Sequence, residues 1–133
     1  MSAADLEAVR AVYAALASGD PGPLSQIMHP DIAWAEPEGA PVIAGVVHGR
    51  AAVFTEVFAR IPEVWAEFAC DPQEFLDAGD HVIVTGLLRV QGLGTGRRAD
   101  VPFVHDWTLR DGRAVAWRCH TDTAVLQAVR SSR

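Results

Sequence analysis

The 133-residue chain contains no lysine and no asparagine, and all eleven of its basic residues are arginine. That bias reads as a mark of a GC-rich coding sequence and carries no chemistry. Seventeen acidic residues outweigh the arginines and leave a net charge of −6. No basic stripe is available to displace counterions from a phosphate backbone, so no nucleic-acid partner is expected. Cysteine is scarce, with Cys70 and Cys119 alone and at no metal-ligand spacing. A disulfide framework and a zinc site are set aside, no metal or cofactor is expected, and both thiols are expected reduced. Long apolar runs are missing too, and the N-terminus MSAADLEAVR has neither a basic n-region nor an apolar h-region. The expectation is a soluble, cytoplasmic protein with no membrane partner.

What is present is an ordinary globular composition, 50% hydrophobic and 21% charged. The length allows one good core but not two, so residues 1–133 are expected to form a single domain.

Ser2 and Asp5 form a capping-box pattern ahead of Leu6, Val9, Val12, Tyr13 and Leu16, which recur at helical steps until Gly19. Asp20 and Pro21 start a second, short helix that uses Leu24, Ile27 and Met28 and ends at His29-Pro30. In DIAWAE the alternation places Ile32, Trp34 and Glu36 on one face of a strand, closed by Pro37. HGRAAVFTEVFARIP then reads as a third helix with Val53, Phe54, Val57, Phe58 and Ile61 inward and Pro62 as its terminator.

From there the period changes to two. Segments 63–69, 73–78, 81–91, 98–110 and 113–121 read as strands, separated by turn signals at Asp71-Pro72, Gly79-Asp80, GLGTG and Asp111-Gly112. GLGTG leads from strand to strand rather than into a helix, so it is a hairpin loop and not a phosphate cradle. Helices followed by a meander imply an α+β fold, with the helices covering one face of an antiparallel sheet.

Asp111-Gly112 is a strong hairpin signal and sets a register. With a two-residue loop, Arg110 faces Arg113, His105 faces Arg118, Phe103 faces His120 and Val101 faces Asp122. Opposed residues share a face. One face then carries Phe103, His105, Trp107, Leu109, Arg118, His120 and Asp122, an aromatic wall with ionisable groups suited to a small-molecule pocket. The other carries Val104, Asp106, Thr108, Val115, Trp117, Cys119 and Thr121, and is apolar enough for a homodimer contact through Val104, Val115, Trp117 and Cys119. A one-residue slip of the last strand would exchange the two sets, bringing Trp117 and Thr121 in and sending Arg118, His120 and Asp122 out.

VYAALASGD, HPDIAWAEP, HGRAAVFTEVF and VHDWTLRDGRAVAWRCHTDTA together resemble the SnoaL-like polyketide cyclases and ketosteroid-isomerase-related proteins of the nuclear-transport-factor-2-like superfamily. The resemblance covers nearly the whole chain. It implies a cone-shaped, strongly curved antiparallel sheet packed on three N-terminal helices, a deep apolar cavity and a homodimer built on the sheet. It also implies that Asp122 matches the pocket aspartate that serves as acid/base in the cyclases and in similar epoxide hydrolases. The isomerases' oxyanion tyrosine falls on Val12, with Tyr13 one place along and pointing elsewhere. Their catalytic aspartate falls on Glu36 and their oxyanion aspartate on His105, so steroid isomerisation itself is not expected. The Asp-Arg-Asp set of the epoxide hydrolases is incomplete.

The candidate catalytic residues are therefore Asp122, His105 and His120, with Trp34, Glu36, Tyr13, Phe54, Phe58, Phe103, Trp107 and Arg118 as candidate ligand contacts. Asp122 could move a proton, or it could cap the helix that TAVLQAV forms immediately after it. His105 and His120 could steady an oxyanion or tune Asp122, or be satisfied structural histidines. Arg118 could clamp an enolate oxygen or pair with a carboxylate such as Glu36, which itself could enter the cavity or stay wet. His29 and His48 sit at element boundaries as caps or surface groups. The function expected is a small cofactor-independent isomerase or aldol-type cyclase acting on an apolar, carbonyl-bearing molecule. Two alternatives stand beside it: a noncatalytic ligand-binding or dimerisation module, and a hydrolase of epoxide-hydrolase type with Asp122 activating water.

Overall fold

A computed structural model describes residues 2–131. Helix α1 (Ser2–Ala17) buries Val9, Val12 and Tyr13, as the spacing requires. The Ser2 side chain of the expected capping box lies outside the described part of the chain. Helix α2 spans Gly22–Ile27, one position later than expected, and Asp20 Oδ1 accepts from Gly22 N–H at 2.9 Å. Strand β1 (Met28–Glu36) follows directly, with Ile32 and Trp34 buried.

The third helix differs from its expectation. A four-residue strand, β2 (Gly45–His48), precedes it, and the helix breaks into α3 (Arg50–Glu56), a 3₁₀ turn at Phe58–Arg60 and a final turn α4 (Ile61–Val64). Pro62 is the cause. It has no N–H for the Phe58 carbonyl and its ring would clash there, so the chain resets and restarts with proline in a first turn.

Strands β3 (Trp65–Ala78), β4 (His81–Gly92), β5 (Arg98–Arg110) and β6 (Arg113–Thr121) complete one sheet of order β2-β1-β6-β5-β4-β3, and α5 (Thr123–Arg130) closes the chain. All neighbours pair antiparallel except β1 and β6, which run parallel. Asp71-Pro72 is not a turn: both residues pair within β3 and lead into a bulge at Gln73, on the sheet edge where proline's missing donor is tolerated. Gly86 pairs with Pro72, and a Cβ there would overlap the Asp71 carbonyl oxygen and crowd Pro72 Cα.

The final hairpin decides the site. Asp111 and Gly112 adopt positive φ, +52° and +77°, and Arg110 pairs with Arg113 as a two-residue loop dictates. Leu109 still pairs with Ala114, but Thr108 pairs with Ala116, so Val115 is an extra residue in a bulge and the phase flips beyond it. Trp107 opposes Trp117, His105 opposes Cys119, and Phe103 opposes Thr121. The slipped arrangement holds because burying an indole removes about 200 Å² from water. At ~25 cal/mol/Å² that is about 5 kcal/mol. A ladder hydrogen bond lost at the bulge costs only about 1 kcal/mol. The alternative register would in addition bury Arg118 and His120.

Among the described residues no helix is long and apolar enough to cross a membrane.

Candidate active site

The concave face of the sheet, α1, the 3₁₀ turn, the 37–44 loop and α5 enclose an apolar cavity of about 110 Å³. Two adjacent rungs of the sheet form its wall. On the first, Trp34 of β1 pairs with Trp117 of β6, which pairs with Trp107 of β5. The Trp34 and Trp117 rings stack at 3.8 Å and 13°, and Trp107 meets both edge-on at 6.1 and 6.4 Å. One step along, Glu36 stands beside Cys119, which opposes His105. Strand spacing puts the Glu36 and His105 backbones roughly 10 Å apart across the concave face.

Glu36 is the single carboxylate of the lining, and Trp34 Nε1–H donates to its Oε2 at 3.0 Å. Loss of water around the carboxyl raises its pKa to about 7, against the smaller opposing pull of the Trp34 N–H. Such a group exists in both protonation states at neutral pH, which is what a general acid/base needs.

Across the cavity lies a neutral polar chain. Trp107 Nε1–H donates to the Tyr13 hydroxyl oxygen at 2.9 Å, and that hydroxyl lies 2.6 Å from His105 Nδ1. Burial lowers the His105 pKa to about 3 and raises that of Tyr13, so both are uncharged at neutral pH. Tyr13 has one hydrogen and its oxygen already accepts from Trp107. Pairing that hydrogen requires Tyr13 to donate to Nδ1, which leaves the ring proton of His105 on Nε2. Phe103 stacks on the imidazole at 4.0 Å and fixes its plane.

Of the residues expected in the site, Trp34, Glu36, Tyr13, Phe58, His105 and Trp107 line the cavity. Phe54 and Phe103 stand behind them, packed on Phe58 and His105. Tyr13 points inward, against the expectation drawn from the resemblance, while Val12 is buried in the core. Asp122, His120 and Arg118 are corrected: all three are exposed and outside the cavity. Asp122 is the N-cap of α5, its Oδ1 accepting from Val125 N–H at 3.1 Å. The bulge at Val115 turns Arg118 and His120 to the convex face. It also carries Trp117 and Cys119 inward, leaving Val104 and Val115 of the four residues expected on an outer contact face.

Trp117 and Thr121, which the slipped register brings in, line the cavity together with Cys119 and Cys70, which the sequence reading missed. For Trp117, Cys119 and Thr121 the signal is the alternation of apolar and charged side chains in WRCHTD, which favours burying the apolar set. Both cysteines are free, and burial pushes the thiols up, Cys70 to about 12 and Cys119 higher still. A protonated thiol is a poor nucleophile. Among the described residues no group of three or more His, Cys, Asp or Glu side chains is placed to hold a metal ion.

Helices followed by a curved, unclosed six-stranded sheet with a lined concave face define the NTF2-like class of α+β proteins. Residues 9–117 match the SnoaL-like domain, and the chain belongs to that family. An NTF2-like protein of unknown function from Burkholderia pseudomallei is similar at 32% identity over 96% of this chain and 98% of its own, with a TM-score of 0.89. TerC, solved as a co-crystal with polyporic acid, is 34% identical over 95% of this chain and 97% of its own, with a TM-score of 0.85. A protein from Jannaschia described as a SnoaL-like polyketide cyclase shares the fold at 22% identity, a TM-score of 0.79 and coverage of 99% and 94%. No curated protein matches the chain.

Proposed function

We propose that the protein is a cofactor-independent isomerase or aldol-type cyclase for an apolar, carbonyl-bearing small molecule, with Glu36 as its general base. The supporting observation is a lone carboxylate of pKa about 7 inside an apolar cavity. Glu36 removes a proton from the carbon α to the carbonyl, and the C–H electron pair forms the enolate. The carbonyl oxygen takes the charge. The neutral His105 Nε2–H, held by the Tyr13 bond to Nδ1, supplies a donor that carries no charge of its own to be desolvated. The Glu36 carboxyl then returns the proton to another carbon in an isomerisation. In an aldol closure it gives that proton to the alkoxide formed when the enolate carbon attacks a second carbonyl. The similarity to TerC supports a small organic ligand in this cavity.

β-Tetralone, a bicyclic ketone with acidified α-hydrogens, tests the reading by NMR in deuterium oxide. Wild type is expected to exchange its α-hydrogens above the buffer rate, and Glu36→Gln to lower that exchange by about a hundredfold or more. Equal exchange by both proteins refutes the base assignment. Binding without any exchange returns the protein to the noncatalytic ligand-binding reading.

A further inference from the structure

One buried polar atom of the cavity has no partner. Trp117 is 5% exposed and lines the cavity, yet its Nε1–H is the one buried side-chain N or O among the described residues without a hydrogen bond. It acts on the Tyr13 hydroxyl as a weak side-chain donor without reaching hydrogen-bond geometry. That hydroxyl is already engaged by Trp107 and His105. Among the described residues no acceptor reaches hydrogen-bond geometry with the Trp117 donor, and its ring is locked by the stack on Trp34 and the edge contact with Trp107.

An indole N–H donates and cannot accept or ionise. Its complement is therefore a hydrogen-bond acceptor on a ligand, and the apolar surroundings select a compact one such as a carbonyl or enolate oxygen. A buried donor left bare is costly, and native structures retain few of them. Trp117 also lies one rung from Glu36, on the strand next to it. A carbonyl oxygen held at Trp117 thus leaves the adjoining carbon within the part of the cavity that Glu36 faces.

We propose that Trp117 Nε1–H is a ligand-binding donor that receives the carbonyl oxygen of the bound molecule and fixes which of its carbons faces Glu36. The ligand class rests on the function proposed above. The donor role does not depend on Glu36 being the base.

The test compares β-tetralone with tetralin, the same bicycle without the oxygen. In wild type the Trp117 indole N–H resonance, assigned through bonds among the four tryptophans, moves downfield on titration with β-tetralone and stays in place with tetralin. Trp117→Phe lowers the affinity for β-tetralone about tenfold relative to that for tetralin, as loss of one buried hydrogen bond predicts. A Trp117 resonance that does not move up to the solubility limit of β-tetralone overturns the proposal. So does a Trp117→Phe variant that weakens both ligands alike. Should the variant not fold, the wild-type titration decides alone. A Trp117 response alongside exchange that is indifferent to Glu36→Gln refutes the base assignment and leaves the donor standing. Glu36-dependent exchange with a silent Trp117 does the reverse.

Discussion

If Glu36 carries the chemistry, the fold is destabilised by holding it, and the size of that penalty follows from its environment. Its pKa is 4.5 in the open chain and about 7 in the cavity. Below pH 4.5 the carboxyl is protonated folded or unfolded and contributes no difference. As the pH rises from there to about 7, the unfolded chain releases its proton first, so stability falls over this window and is level above it. At ~1.4 kcal/mol per pH unit the window is worth about 3 kcal/mol, a sizeable share of a total near 5–15 kcal/mol. Glu36→Gln keeps an acceptor for Trp34 Nε1–H but has no charge to desolvate. Urea unfolding of the two proteins at pH 4 and pH 8 isolates the effect, because other carboxylates cancel in the difference. The variant is expected to gain up to about 3 kcal/mol on wild type between pH 4 and pH 8, while its exchange of β-tetralone collapses. Wild-type exchange should rise with pH and level off above about 7. A variant that loses stability at pH 8, or a stability difference independent of pH, refutes the claim that the carboxyl is held desolvated.

Asp122→Ala removes an N-cap and should cost about 0.5–2 kcal/mol in thermal or urea unfolding with ketone exchange unchanged; lost exchange at retained fold would restore Asp122 to the site. Gly86→Ala forces a methyl onto the Asp71-Pro72 backbone and should cost about 1–3 kcal/mol by the same unfolding assay, and a neutral result would mean that β3 is not held against β4 there. Tyr13→Phe strands the Trp107 N–H and His105 Nδ1 in the interior, at about 1–3 kcal/mol for each group left bare. In that variant the nitrogen NMR shifts of His105 should lose the pattern of a fixed Nε2–H tautomer, and wild-type shifts showing Nδ1–H would contradict the donor direction assigned here.

The parts of this fold that local chemistry controls were readable. The step of three and four in α1, the alternation around Trp34 and Glu36, and the Asp111-Gly112 turn each depend on neighbours in the chain, and each stands where the spacing put it. Apart from the break that Pro62 makes in the third helix, the departures involve distant partners. Asp71-Pro72 looks like a turn until Gly86 on β4 makes room for its backbone within the strand, and GVVH becomes a strand because β1 offers it an edge. The site follows the same division. His105 and Trp107 lie ahead of the hairpin bulge and occupy the face that the turn register gives them, whereas Arg118, His120 and Asp122 follow Val115 and stand off the face it gives them. A turn sets register only as far as the first bulge, and bulges are located by what has to be buried.

That bulge also fixes the electrostatics of the cavity. In the unbulged register Arg118 would stand inside, opposite His105 and near Glu36. A guanidinium there would hold the Glu36 carboxylate ionised and weakly basic, opposing the desolvation that now raises it to about 7. With Val115 bulged out, the neighbours of Glu36 on β6 are an indole and a protonated thiol, and the group across the cavity is an uncharged imidazole. Every polar side chain facing the carboxyl is thereby neutral. Among the described residues the contact that favours its charge is the Trp34 N–H, too weak to undo the burial. One inserted residue, favoured because it buries Trp117, thus keeps cations out of the pocket and keeps a glutamate basic near neutral pH.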